Sequence, residues 1–209
     1  MEFKTNAYSI IFSEHNMSEE LEYGNKILLP STLLPDINLD KGTVYFTLSN
    51  RDLSIACGVH EYMESESVAF IPHSMLERLE LLDGNSVTIK QLTNVPNGKY
   101  IKIKPYEKEF IELGDPKGLL ERMISENYPI LSEGEVICIK HNGKEYHIEV
   151  IECLPEKTIQ TTNCDINVEF ERPVDMPEET KETSNAVESF KAQCDLKRFP
   201  GKGNRLGSC

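Results

Sequence analysis

A paragraph of this sequence is written twice, forty-two positions apart. The first copy runs Lys26-Ile-Leu-Leu-Pro30-Ser-Thr32-Leu-Leu-Pro35, then Leu39-Asp-Lys-Gly42-Thr-Val44. The second runs Val68-Ala-Phe-Ile-Pro72-His-Ser74-Met-Leu-Glu77, then Leu81-Leu-Asp-Gly84-Asn-Ser-Val87. Three aliphatic or aromatic residues precede each proline, and each glycine follows its proline by twelve positions. The apolar set Leu33, Leu34, Ile37 returns as Met75, Leu76, Leu79. Each copy reads as strand, short helix, tight turn and second strand. A unit that small cannot bury its own apolar face, so the two copies are expected to close on one another as a single pseudo-twofold barrel.

The local chemistry agrees with that reading. Ser74 and Glu77 have the spacing of a capping box, with Thr32 and Pro35 in the equivalent places. Proline is tolerated there because the first amides of a helix lack an intrahelical acceptor. Glycine at the turn permits positive φ before the next strand.

Beyond the repeat, Tyr8–Phe12 and Ile55–Val59 read as strands, and Asn97-Gly98 reads as a hairpin turn leading to Tyr100–Ile103. This places the end of a barrel subdomain, 1–105, at about residue 105. Asp115-Pro116 then opens a helix whose apolar face is Leu119, Leu120, Met123 and Ile124. Leu131-Ser-Glu-Gly134 repeats the earlier turn and leads into a hairpin around Asn142-Gly143. That turn predicts Lys140 opposite Glu145 and Cys138 opposite His147, with Ile137, Ile139, Tyr146, Ile148 and Val150 on the buried face. Strands near 158–161 and 166–170 complete an α/β subdomain, 106–171. The sequence from 172 to 198 is polar, charged and without period, as expected of a disordered linker with a reach of roughly 30 Å.

Charge narrows the partners. A formal charge of −13 argues against duplex nucleic acid or an anionic membrane, which need clustered Lys and Arg. No apolar run approaches the roughly 20 residues that cross a bilayer, and Met1–Asn6 leads no signal-like segment, so a soluble intracellular chain is expected. The six cysteines, 57, 138, 153, 164, 194 and 209, form no C-x-x-C pair and read as free thiols.

Candidate catalytic groups lack context. Gly201, Gly203 and Gly207 suggest a phosphate loop, yet no strand precedes them and no helix follows. Cys138, His141, His147 and Cys153 invite a zinc reading, but the hairpin register brings together only Cys138 and His147, and two ligands do not make a site. His73 stands at a helix start, where a terminal role outweighs general base catalysis. Cys57 and His60 fall on opposite faces of one strand. No catalytic residue, metal or cofactor is expected.

These features together carry a resemblance. The repeat, Cys57-Gly-Val59-His-Glu, Phe70-Ile-Pro-His73, Pro116…Leu119-Leu-Glu121, the Leu131…Gly134 turn with its hairpin, and Cys164-Asp165-Ile-Asn167-Val-Glu-Phe170 resemble the N-terminal region of the ubiquitin fusion degradation protein 1 family over about 8–171. The resemblance implies a β-rich α+β fold: a double-psi β-barrel, then a smaller mixed α/β subdomain, then a disordered C-terminal tail. The tail segment Phe199-x-Gly201-x-Gly203-Asn204-Arg205-Leu206-Gly207 looks like the peptide by which such adaptors hook the N-terminal domain of the valosin-containing AAA ATPase. Phe199 and Leu206 supply apolar anchors, Gly201 and Gly203 permit close backbone approach, and Arg205 can pair with acidic groups.

By implication the protein is a non-enzymatic adaptor that binds ubiquitin and polyubiquitin and tethers ubiquitinated proteins to the ATPase for proteasomal degradation. Cytoplasmic and nuclear residence, with recruitment to the ER surface, follows from the same resemblance. The nuclear protein localisation 4 homologue is the implied co-adaptor, with 172–198 as the free segment for it. Two rivals stand beside this reading: an enzyme on a double-psi barrel, since that fold hosts several chemistries, and an adaptor of the same ATPase that ignores ubiquitin.

Overall fold

The computed structural model describes residues 2–14, 18–37, 43–64 and 67–176. The linker beyond 176, the whole Phe199–Gly207 segment and the Leu39…Gly42 turn lie outside these residues.

Six strands form a closed barrel: β1 (Glu2–Ser9), β2 (Lys26–Pro30), β3 (Tyr45–Asn50), β4 (Leu53–Met63), β5 (Ala69–Ile71) and β6 (Ser86–Leu92), in the order β1-β5-β2-β4-β3-β6. The pairings respect a twofold exchange of the halves. β1 runs parallel to β5 as β4 runs parallel to β2, and β1 is antiparallel to β6 as β4 is to β3. On the axis of that exchange, Leu28 pairs with Phe70, its own counterpart in the repeat. The barrel is the double-psi barrel expected. Ile27, Leu29, Phe46, Leu48, Ile71, Leu76, Val87 and Ile89 fill its core.

Helix starts differ from expectation in both copies. Helix α2 (His73–Arg78) follows α1 (Ser18–Leu21) in the chain, and its cap is Pro72, with no side-chain cap bond from Ser74. The chain leaves β5 extended, with Pro72 at φ −52° and ψ 139°, so the helix begins before Ser74 can cap it. The first copy makes a 3-10 turn, Ser31–Asp36, capped by Pro30 rather than Thr32. Likewise Ile10–Phe12 is a 3-10 turn at the end of β1, not strand. The turn glycines behave as read: Gly84 and Gly134 have φ of +84° and +77°.

The second subdomain holds β7 (Tyr100–Pro105), α3 (Pro116–Asn127), β8 (Ile130–Ser132), β9 (Val136–His141), β10 (Lys144–Leu154), β11 (Thr158–Gln160) and β12 (Asn167–Phe170). Its sheet has the order β12-β7-β10-β9, and β8 pairs β11. Tyr100–Pro105 therefore belongs here and not to the barrel, because it is paired on both sides by β10 and β12. Asn97-Gly98 makes no hairpin. Asn97 bridges to Gln160 and the Gly98 N–H donates to the Gln160 carbonyl, so the chain crosses to the second sheet instead of folding back.

Other local readings hold. Asp115 caps α3 by accepting from the Gly118 N–H at 2.9 Å, and Leu119, Leu120 and Ile124 are buried. The β9–β10 register pairs Lys140 with Glu145 and Cys138 with His147. Ile137, Ile139, Tyr146, Ile148 and Val150 are buried beneath it. The chain stays hydrogen-bonded to β7 and its exit as far as Asp175, whose N–H donates to the Tyr106 carbonyl, although the linker was expected from 172.

Candidate functional site

Barrel and second sheet meet along a seam built from the residues just before β2 and those flanking α3. The Asn25 N–H donates to the Asn127 carbonyl at 3.1 Å, and Asn25 Nδ2 donates to the Ile130 carbonyl at 2.6 Å. Asn25 also accepts from the Gly58 N–H through its own carbonyl. At Gly58 the strand touches Pro129 so closely that a Cβ would stand 2.5 Å from the proline Cγ. Tyr45, Ala56 and Ile130 bury a small apolar cluster beside this contact.

Charge crosses the same seam. Glu135, 3% exposed, leaves the turn after β8 and faces Arg78 of α2, with Oε1 3.6 Å from Nη1. Its other oxygen accepts from the Ser132 N–H at 3.1 Å. Burial raises the Glu135 carboxyl above the ordinary carboxylate range, and Arg78 counters only part of that effect. Arg78 and Glu135 line two clefts. One, of about 390 Å³, is bordered by Tyr23, His73, Tyr128, Cys138, Glu145 and His147. The other, of about 450 Å³, includes Thr47, Val95, Glu133 and Thr158. Both are open rather than enclosed, the first with a mixed lining and the second mainly polar, a surface suited to a macromolecular partner rather than an enclosed small molecule.

The residues singled out in the sequence separate cleanly. Cys57 is fully buried, and desolvation pushes its thiol far above its usual range, which removes it as a nucleophile. His60 occupies a bulge, since the register of β4 against β2 skips from Val59 to Glu61. His73 serves the helix start. Its N–H donates to Glu22 Oε1 at 2.7 Å, and its ring lies 3.5 Å from Glu77. His141 contacts Asn142, and Cys153 is buried, with desolvation raising its thiol to about 12.

Cys138 and His147 do converge, and Glu145 joins them, a third donor that the sequence reading left out. Arg78, Asn25, Glu135 and Tyr23 were missed as well. Asn25 meets Glu135 across 110 residues and Tyr23 meets Glu145 across 122, and no local motif marks such pairs.

The fold defines the chain as a double-psi barrel joined to a small α/β sheet, with an open polar seam between them. Two family models match it in succession: "Ubiquitin fusion degradation protein UFD1, N-terminal subdomain 1" over residues 2–95, and subdomain 2 of the same protein over 97–173. The chain belongs to the ubiquitin fusion degradation protein 1 family. It is 30% identical over 204 residues to the human ubiquitin recognition factor in ER-associated degradation protein 1, covering 91% of this chain and 66% of the relative. It is 30% identical over 193 residues to the Caenorhabditis elegans ubiquitin fusion degradation protein 1 homolog, covering 90% of this chain and 56% of that protein. For ubiquitin fusion degradation protein 1 of Saccharomyces cerevisiae the identity is 29% over 197 residues, covering 90% and 52%. The chain thus spans between about half and two thirds of the length of these relatives.

Proposed function

We propose that this chain is a non-enzymatic adaptor: its folded body binds ubiquitin chains, and its C-terminal segment ties the load to a valosin-containing-type AAA ATPase for extraction and proteasomal degradation. The observation that carries the reading is the match of both N-terminal subdomain models along one continuous body. A relative matching 91% of the chain bears the name of a ubiquitin recognition factor in ER-associated degradation. The state of Cys57 and the helix-start role of His73 agree with an adaptor rather than an enzyme.

Phe199, Gly201, Gly203, Asn204, Arg205 and Leu206 form the ATPase-binding segment in this proposal. Two apolar anchors in a polar tail give a weak tether, because the segment loses conformational entropy on docking. The residues ahead of it provide the spacer and the site for a co-adaptor of the nuclear protein localisation 4 type. Work at the ER surface, in cytoplasm and in nucleus follows from the same partners.

Two measurements test this. Titration of the chain with single ubiquitin and with chains of defined linkage, followed by amide shifts, should map binding to the folded body; no shifts at high micromolar chain concentration would remove ubiquitin from the reading. Phe199→Ala or Leu206→Ala should abolish or sharply weaken pull-down of the ATPase without moving the melting temperature. Wild-type retention by both variants would remove the hook.

A further inference from the structure

Antiparallel pairing sets Cys138 opposite His147 on β9 and β10. The backbone polar groups of both residues turn away from each other. The Cys138 N–H donates to the Tyr128 hydroxyl, which donates to the Cys138 carbonyl, both at 2.9 Å. The His147 N–H donates to Glu107 Oε2 at 2.9 Å, and its carbonyl accepts from the Tyr106 N–H. This is the closely spaced, non-hydrogen-bonded type of pair, in which the two side chains stand nearest. Glu145, two residues before His147 on β10, shares that face. The Cys138 Sγ, a Glu145 carboxylate oxygen and a His147 ring nitrogen all lie within 4.8 Å of one another.

The surroundings arrange these donors. His147 Nδ1 is 3.3 Å from Glu107 Oε1, which leaves Nε2 as the coordinating nitrogen. A carboxylate on the far nitrogen is the usual support of a metal-bound imidazole, fixing its tautomer and orientation. Glu145 is held in turn by the Tyr23 hydroxyl, which donates to Oε1 at 2.9 Å. The ammonium of Lys140, on the same face, stands over the Tyr23 ring, 4.7 Å from its centroid. The donors border the open cleft of about 390 Å³, so an ion has a path in from solvent.

We propose that Cys138, Glu145 and His147 bind one divalent, thiophilic cation, with zinc the best match to one sulfur, one nitrogen and one oxygen donor. Magnesium and calcium prefer all-oxygen sets, whereas zinc takes this mixture in a tetrahedron. Tetrahedral zinc holds its ligand atoms roughly 3.3–3.8 Å apart, so small rotations about the side-chain bonds close the set, and water takes the fourth position. Binding requires the thiolate, a neutral imidazole and an ionised carboxylate. The Cys138 proton leaves to solvent, one proton per ion, and the two anionic ligands balance the dication. The ion would cross-link β9 to β10 and, through Glu145, stiffen the contact with Tyr23 of the barrel side.

Cobalt(II), a spectroscopic stand-in for zinc, tests the assignment on the untagged full chain after chelation, at about pH 7.5. One equivalent should give a thiolate-to-cobalt charge-transfer band with tetrahedral d–d bands, and equimolar zinc should bleach both. Cys138→Ser should lose the charge-transfer band. Glu145→Gln and His147→Ala should each weaken binding by about tenfold or more. Cys153→Ser and Cys164→Ser should bind as wild type, and the metal-free melting curves of the three ligand variants should match the parent. Absence of tetrahedral bands at millimolar cobalt would overturn the proposal. So would bands that survive Cys138→Ser, or affinities unmoved by both Glu145→Gln and His147→Ala.

Discussion

Arg78 of the barrel subdomain reaches Glu135 of the second subdomain at 3.6 Å, and the carboxylate it meets is 3% exposed while the arginine side chain is 36% exposed. Removing the partly wet partner leaves a buried charge uncompensated, which costs more than the pair itself contributes. Arg78→Met should destabilise the chain by about 1–3 kcal/mol, the lower end reflecting the solvent already at the arginine. Urea unfolding of Arg78→Met, Glu135→Gln and the double variant checks it. The double variant should recover much of the loss, because the orphaned charge is then gone.

The same carboxyl predicts a pH dependence. Its folded pKa is raised from the ordinary 4.5, chiefly by burial. The folded state therefore binds the proton more tightly than the unfolded chain does. Glu135 contributes stability that is fully present below 4.5 and is lost as pH rises through the folded value. Relative to wild type, Glu135→Gln should gain stability as pH rises from 4 towards 7. A difference in urea midpoint that is flat or of opposite slope would show that Arg78 and Ser132 hold the anion instead.

The start of α2 supplies a second contrast. Glu22 accepts the His73 N–H from fifty-one residues away in sequence, while Ser74, the residue that looks like the cap, makes no cap bond. Glu22→Ala should cost about 1 kcal/mol, the usual worth of a helix cap, and Ser74→Ala should be near neutral. Glu22→Gln keeps an acceptor and should retain most of the stability. Thermal melts of the three variants decide between the two caps.

Gly58 lets the barrel close on Pro129. A methyl group there would sit 2.5 Å from a ring carbon that the backbone holds in place, so relief requires the seam to open. Gly58→Ala should destabilise by about 1–3 kcal/mol, the range for overpacked contacts. Faster amide exchange at Asn25, whose N–H donates to the Asn127 carbonyl at that seam, should accompany the loss.

What could be read in advance was whatever repeats or alternates locally. The doubled paragraph foretold the barrel, because its apolar positions recur at one spacing in both copies. The Asn142-Gly143 turn fixed which residues of β9 and β10 face each other, since a two-residue loop leaves one register. The Asn97-Gly98 dipeptide misled because its turn chemistry was outweighed by a pairing with Gln160, more than sixty residues on. Ser74 misled because the helix begins one residue ahead of it, at His73, whose amide is held by Glu22 from far away in sequence. The seam was invisible for a related reason: Asn25, Arg78 and Glu135 come from three distant parts of the chain, each ordinary alone.

The repeat makes one last demand on the energetics. Leu28 and Phe70 are equivalent positions of the two copies, yet they pair with each other and share a buried cluster with Ile10 and Leu21. Each side chain therefore packs against its own counterpart, and truncating one leaves a void that the other borders. Leu28→Ala alone should cost about 2–5 kcal/mol, as for other buried leucines, and Phe70→Ala should cost a similar amount. Because the two cavities merge, the double variant should lose less than the sum of the singles by roughly 0.5–3 kcal/mol. Chemical unfolding of the four proteins in the cycle measures that coupling. Strict additivity would mean that the two halves meet at this point without packing on one another.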